Sequence, residues 1–123
     1  MTDLARVLVV EDEMLILLDL IDSLADCGIE SLPLSTTEGA AATLLKSPVD
    51  ALVTDIELPG PVSGLQLARE AALLRPGLPI VVMSGGVRPG PADLPQGAVF
   101  IPKPCSARQI IAALKSQQTA RAA

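Results

Sequence analysis

The chain has 123 residues, half of them apolar, which suits one domain with a substantial core. Its net charge of −5 argues against binding the phosphate backbone of nucleic acid, while leaving room for an acidic pocket that takes a cation. It contains no histidine, which excludes imidazole catalysis, imidazole metal ligation and a phosphohistidine within the chain itself.

The first apolar run, Val7 to Val10, is continuous rather than alternating, as in a parallel strand covered on both faces. Residues 13–27 predict a helix that stops at Gly28, with Ile16, Leu20, Leu24 and Cys27 spaced along its core face. Ile29 to Leu34 predicts a weaker strand, and Pro33 places it at a sheet edge. Ser35 and Glu38 have capping-box spacing ahead of a helix over Ala40 to Lys46. Ala51 to Thr54 is a second continuous apolar strand, followed by a helix over 64–74 that ends before Pro76-Gly77. Ile80 to Met83 is a third. Residues 85–97 hold three prolines and four glycines, so a loop or one short turn is expected where the alternation calls for a helix. Ala98 to Ile101 predicts the last strand, ending at Pro102-Lys103-Pro104. Residues 106–118 predict the last helix, and 116–123 read as a tail that frays from it.

This alternation implies an α/β fold, a doubly wound five-stranded parallel sheet with right-handed crossovers and no second domain in residues 1–123. With Phe100 as the only aromatic residue, the core must be built from Leu, Ile, Val and Ala. Cys27 and Cys105 form no disulfide framework and are expected as packing residues in a reduced, cytoplasmic setting. No signal peptide opens the chain, and no apolar run approaches the roughly 20 residues that cross a bilayer.

In open α/β sheets, ligands sit beyond the carboxyl ends of the strands. Glu11, Asp12 and Glu13 follow the first strand, Asp55 ends the third, Ser84 follows the fourth and Lys103 follows the last. Clustered carboxylates raise one another's pKa, and a hard divalent cation such as Mg²⁺ relieves the repulsion. The same cation neutralises phosphate oxygens, Lys103 adds a positive charge, Ser84 can donate to a phosphate oxygen, and Asp55 is left as the nucleophile. The competing readings are plain: Asp55 as a loop cap, Glu11 and Asp12 as helix-dipole charges, Ser84 as a turn residue and Lys103 as a surface lysine. Glu13 reads as a solvated helix residue.

The motifs VVEDE (9–13), VTDIELPG (53–60), VVMSGG (81–86) and FIPKP (100–104), in this order and each at a strand end, resemble the receiver domain of two-component response regulators. The resemblance covers nearly the whole chain. It implies a flavodoxin-like sheet of order 2-1-3-4-5, with Glu11 and Asp12 as the Mg²⁺-binding acidic pair and Asp55 as the phospho-acceptor. It also implies that the main-chain carbonyl of Glu57 reaches the metal, that Ser84 is the switch hydroxyl, and that Lys103 precedes a cis bond to Pro104. Phe100 occupies the place of the aromatic switch, although a lone Phe in a short strand also reads as core. The implied partners are a histidine kinase or histidine phosphotransfer protein and a downstream protein target, with no nucleic acid and no membrane, in a monomer or weak dimer. The implied catalysis is limited to the domain's own phosphorylation and dephosphorylation.

Met14 to Leu18 is an apolar run that one helix face cannot bury entirely. Met14, Leu15 and Leu18 are expected near the acidic rim, where receivers commonly contact the phosphohistidine bundle; the alternative is a rotated helix that buries them. Two departures from the family pattern stand out: the Pro/Gly-rich segment in place of the fourth helix, partly matching some alphaproteobacterial single-domain receivers, and a loop after Asp55 one residue longer than common. With no output domain following, a stand-alone receiver is expected, signalling by protein contact or phosphorelay. The alternatives are a receiver excised from a hybrid kinase, a pseudo-receiver that never carries phosphate, and a Mg²⁺-dependent phosphatase of related topology. The last needs a second aspartate two residues beyond the nucleophile, where Glu57 stands.

Overall fold

The computed structural model describes residues 4–122. The elements in order are β1 (Arg6–Val10), α1 (Met14–Asp26), β2 (Glu30–Leu34), α2 (Ala40–Lys46), β3 (Ala51–Asp55), α3 (Gly64–Leu74), β4 (Ile80–Ser84), β5 (Val99–Pro102) and α4 (Ala107–Ala122). The strands form one parallel sheet in the order β2-β1-β3-β4-β5. Pro33 lies in the edge strand β2 as expected, since it cannot donate to a ladder.

β3 and β4 are buried along their whole length, and the two faces of the sheet carry separate apolar layers. On one face, Val7, Val9, Val53, Val81 and Met83 pack against Leu17, Leu20 and Leu24 of α1 and Ile110 and Leu114 of α4. On the other, Leu8, Val10, Leu52 and Val82 pack against Leu44 of α2 and Leu67, Ala68 and Ala71 of α3. This is why the strand sequences are continuously apolar: successive side chains enter opposite layers, and both layers are covered. Among the described residues, no helix is long and apolar enough to cross a membrane.

Between β4 and β5, where a helix would continue the alternation, the chain makes only a short 3₁₀ turn at Pro91–Asp93. The Pro/Gly content of this segment is the cause.

Four local expectations need correction. The capping box does not form: Gly39 occupies the cap of α2 in a left-handed conformation, and the Glu38 N–H donates to Thr36 Oγ1 instead. The core face of α1 centres on Leu17, Leu20 and Leu24, with Ile16 only partly buried. Cys27 is exposed, because the helix ends at Asp26 and carries it past the sheet, whereas Cys105 does pack against the core. The final helix continues to Ala122, through the stretch expected to fray. Gln117 explains part of that extension. Its side chain accepts from the Ile80 N–H at 2.8 Å and donates to the Ile80 carbonyl at 2.9 Å, tying α4 to the start of β4.

Gln117→Ala leaves both main-chain groups of a buried residue unpaired and is expected to cost about 1–3 kcal/mol. Urea denaturation followed by circular dichroism measures it, and an unchanged midpoint would show that this end of α4 adds nothing to the fold.

Candidate functional site

The carboxyl ends of β1, β3, β4 and β5 bring the chemistry-bearing residues to one rim. Register makes this happen: β1 pairs with β3, β3 with β4 and β4 with β5, so Val10, Thr54, Val82 and Phe100 lie level across the sheet. Glu11 follows β1 directly, Asp55 and Ser84 close β3 and β4, and Lys103 follows β5. The Lys103 N–H donates to the Ser84 carbonyl at 2.9 Å, fixing the two segments together. The Lys103–Pro104 bond is cis, as the resemblance implied.

Lys103 stands between two carboxylates. Its Nζ donates to Glu11 Oε1 at 2.7 Å and to Asp55 Oδ2 at 3.0 Å. Glu11 has no exposed surface, and Asp55 is 5% exposed. Burial is the largest influence on Glu11 and raises its pKa; the Lys103 ammonium and the Glu13 N–H pull the other way without cancelling it. Burial also works against the Lys103 charge, but its bonds to Glu11 and then Asp55 outweigh that and raise its pKa above the ordinary lysine value. The ammonium is therefore held charged. Asp55 Oδ1, by contrast, is buried and finds no hydrogen-bond partner among the described residues.

Glu11, Asp12 and Asp55 each place one oxygen within 4.8 Å of the others. Asp12 is exposed and Glu13 is solvated at the cap position of α1, donating its N–H to Glu11 Oε2. An orphaned buried carboxylate oxygen beside two further carboxylates is a donor set that fits a hard divalent cation.

Two features of the rim are not legible in the motifs. The first is Glu57, whose exposed side chain turns back onto the end of β4: Ser84 Oγ donates to Glu57 Oε1 at 2.5 Å. This bond, helped by the Val87 and Gly86 N–H groups, holds the Glu57 carboxyl below its usual pKa. The second is Thr37, nearly buried, which clamps the loop after Asp55. Its Oγ1 donates to the Val62 carbonyl at 2.8 Å, and its N–H donates to the Pro59 carbonyl at 3.3 Å. Glycine is required within this loop and at the start of α3. A Cβ on Gly60 would lie 2.5 Å from Thr37 Oγ1, and one on Gly64 would lie 1.7 Å from the Asp55 carbonyl oxygen.

Comparison with known proteins agrees with this geometry. The model of the response regulator receiver domain matches residues 7–115. The chain belongs to that family. It is similar to the crystal structure of a response regulator receiver protein from Sinorhizobium medicae WSM419, at 30% identity and a TM-score of 0.87, covering 97% of this chain and 98% of that one. A receiver domain protein from Clostridium thermocellum is similar at 27% identity and a TM-score of 0.78, covering 96% and 97%. The receiver domain of the hybrid histidine kinase CckA is similar at 26% identity and a TM-score of 0.76, covering 92% and 98%. No curated protein matches.

The receiver therefore carries the family's two-component signalling fold with an acidic cluster at its rim. Ser84 is 2% exposed at the end of β4, whereas Phe100 is half-buried against the layer that holds Leu52 and Val82. Met14, Leu15 and Leu18 are 55%, 79% and 49% exposed. A groove of about 440 Å³ runs beside them, between α1 and the Lys103–Cys105 segment, floored by Leu20 and Met83. Cys105, in its wall, has its thiol pKa pushed up by burial.

Removing the Lys103 charge leaves the carboxylates more attractive to a cation. Lys103→Met is expected to tighten Mg²⁺ binding by about tenfold, a modest share of the roughly 4 kcal/mol between unit charges at 4 Å near a protein surface. Amide shifts on Mg²⁺ titration measure it, and weaker binding would contradict this electrostatic account of the rim.

Proposed function

We propose that Asp55 accepts a phosphoryl group from a phosphohistidine on a histidine kinase or histidine phosphotransfer protein, and that the phosphorylated receiver signals in the cytoplasm by binding a protein target or passing the phosphate on. One observation carries the reading: Lys103 fixes one oxygen of the Asp55 carboxylate, while the other is buried and uncommitted. A carboxylate held in this way has one oriented lone-pair donor and an ammonium beside it.

In the transfer, an Asp55 oxygen bonds to phosphorus as the phosphorus–nitrogen bond to the partner's imidazole breaks, and that nitrogen leaves with the electron pair. Lys103 and Ser84 offer an ammonium and a hydroxyl to the phosphoryl oxygens. Glu11, Asp12, Asp55 and the main-chain carbonyl of Glu57 would hold Mg²⁺, whose charge offsets that of the phosphoryl group when it is bound. Hydrolysis of the acyl phosphate returns the domain to its resting state. Ser84 serves as the switch, with Phe100 as the second switch position.

The exposed apolar patch of Met14, Leu15 and Leu18 beside the groove is the proposed docking surface for the phosphohistidine partner. It lies next to Lys103, so a helix seated there brings its histidine toward Asp55.

Incubation with Mg²⁺ and acetyl phosphate should add one phosphoryl mass to the intact protein, labile in base. Asp55→Asn is expected to abolish the adduct, and no adduct on the unaltered protein would sink the reading. Leu15→Asp or Leu18→Asp should slow transfer from a phosphohistidine partner by roughly tenfold or more, the equivalent of one buried leucine, while leaving acetyl phosphate labelling intact. Equal loss of both would count against a docking patch.

A further inference from the structure

The Ser84 hydroxyl and the Glu57 carboxylate are in direct contact at the rim. A serine hydroxyl has one proton to donate. Here that proton goes to Glu57 Oε1, while the Ser84 oxygen accepts from the Gly86 N–H at 3.1 Å. The other oxygen, Glu57 Oε2, lies 3.3 Å from where a Cβ on Gly86 would sit, so the absence of a side chain at Gly86 makes space for this carboxylate. The nearby Val87 and Gly86 N–H groups help lower the Glu57 pKa. Glu57 is thus an anion held at the end of β4 by the Ser84 hydroxyl.

We propose that Glu57 is a gate on Ser84: its carboxylate occupies the hydroxyl that a phosphoryl group on Asp55 would need, and must leave before the phosphorylated form is complete. This rests on the phospho-acceptor reading above. Two physical terms support it. The single Ser84 proton cannot serve both anions, and a carboxylate beside an incoming phosphoryl group adds like-charge repulsion in a partly buried site. Glu57 is also the most suitable member of the rim to move. Its side chain is exposed, whereas Glu11 and Asp55 are buried and tied to Lys103. Its carboxylate can turn into solvent without breaking the apolar packing of either layer. Glu57 therefore acts on the switch through Ser84 and is a positioning residue, not a catalytic one.

The test is a double-mutant cycle read by binding of beryllofluoride with Mg²⁺, followed by amide NMR on the intact chain. Four proteins are compared: the unaltered one, Glu57→Ala, Ser84→Ala and the double variant. None of the substitutions removes the Glu57 main-chain carbonyl. Glu57→Ala is expected to bind beryllofluoride about tenfold more tightly, the equivalent of releasing one charge-assisted hydrogen bond. The gain should fall several-fold in the Ser84→Ala background, where no hydroxyl remains to be freed and only the relief of through-space repulsion is left. Without any ligand, Glu57→Ala should also shift the Gly86 and Val87 amides. A gain of the same size in both backgrounds would overturn the gate, since Glu57 would then act only as a charge through space. Unchanged or weaker binding by Glu57→Ala would overturn it as well, while leaving the acceptor reading standing if the unaltered protein binds. No binding by any of the four would sink the acceptor reading and the gate with it.

Discussion

Glu11 is a carboxylate with no exposed surface, and the Lys103 ammonium 2.7 Å away is the group that makes its burial tolerable. An isolated buried charge would cost several kcal/mol. The same ammonium reaches Asp55 at 3.0 Å, so one cation, arriving 92 residues after Glu11, ties the ends of β1, β3 and β5 into one unit. Much else follows from the need to bring those ends together. The strands must be parallel and in register, and the segment after β5 must turn sharply enough to aim Lys103 back across the rim. The Lys103 N–H bond to Ser84 and the cis peptide before Pro104 are the observed form of that turn.

The layers beneath the rim are apolar, and they keep the chemistry at the strand ends. Strands covered on both faces leave no place for polar side chains except where they stop. The segment between β4 and β5 is different. With only a short turn at Pro91–Asp93, the receiver leaves Phe100 half-buried and Val87 exposed on that side. Here Ser84 is tied to the loop by the Gly86 N–H and to the Glu57 carboxylate by its own hydroxyl.

The fold was largely legible in the sequence because its strongest signal is the continuous apolar strand. Val7 to Val10, Ala51 to Thr54 and Ile80 to Met83 each became a buried strand, and the proline-rich stretch became the expected loop. The motif residues Glu11, Asp12, Asp55, Ser84 and Lys103 were found because strand ends converge by topology alone. The misreadings have a common source, since local spacing competes with tertiary geometry. Ser35 and Glu38 have the spacing of a cap, but the turn at Gly39 takes the position. Cys27 fits a helical period that stops one residue before it. Residues 116–122 look like a polar tail, yet Gln117 docks on β4, a contact across 37 residues that no local pattern encodes. The bond from Ser84 to the Glu57 side chain was not foreseen, because nothing in the spacing shows which way that side chain turns.

That turn completes the electrostatics of the rim. Glu11, Asp12, Asp55 and Glu57 are four acids around Lys103, and each is handled differently. Glu11 and one oxygen of Asp55 share the ammonium, Glu57 accepts from the Ser84 hydroxyl, and Asp12 is left to solvent. The uncommitted Asp55 oxygen is the exception, and it is buried. Such an arrangement makes a poor structural salt bridge, because the positive charge is too small for the acids around it. It makes a good receptor for one cation followed by one anion, provided that an acid yields its place. Lys103 cannot release Glu11 without stranding a buried charge. Ser84 can release Glu57 into water at little cost, so the adjustable part of the site is the exposed acid, and the fixed part is the buried pair.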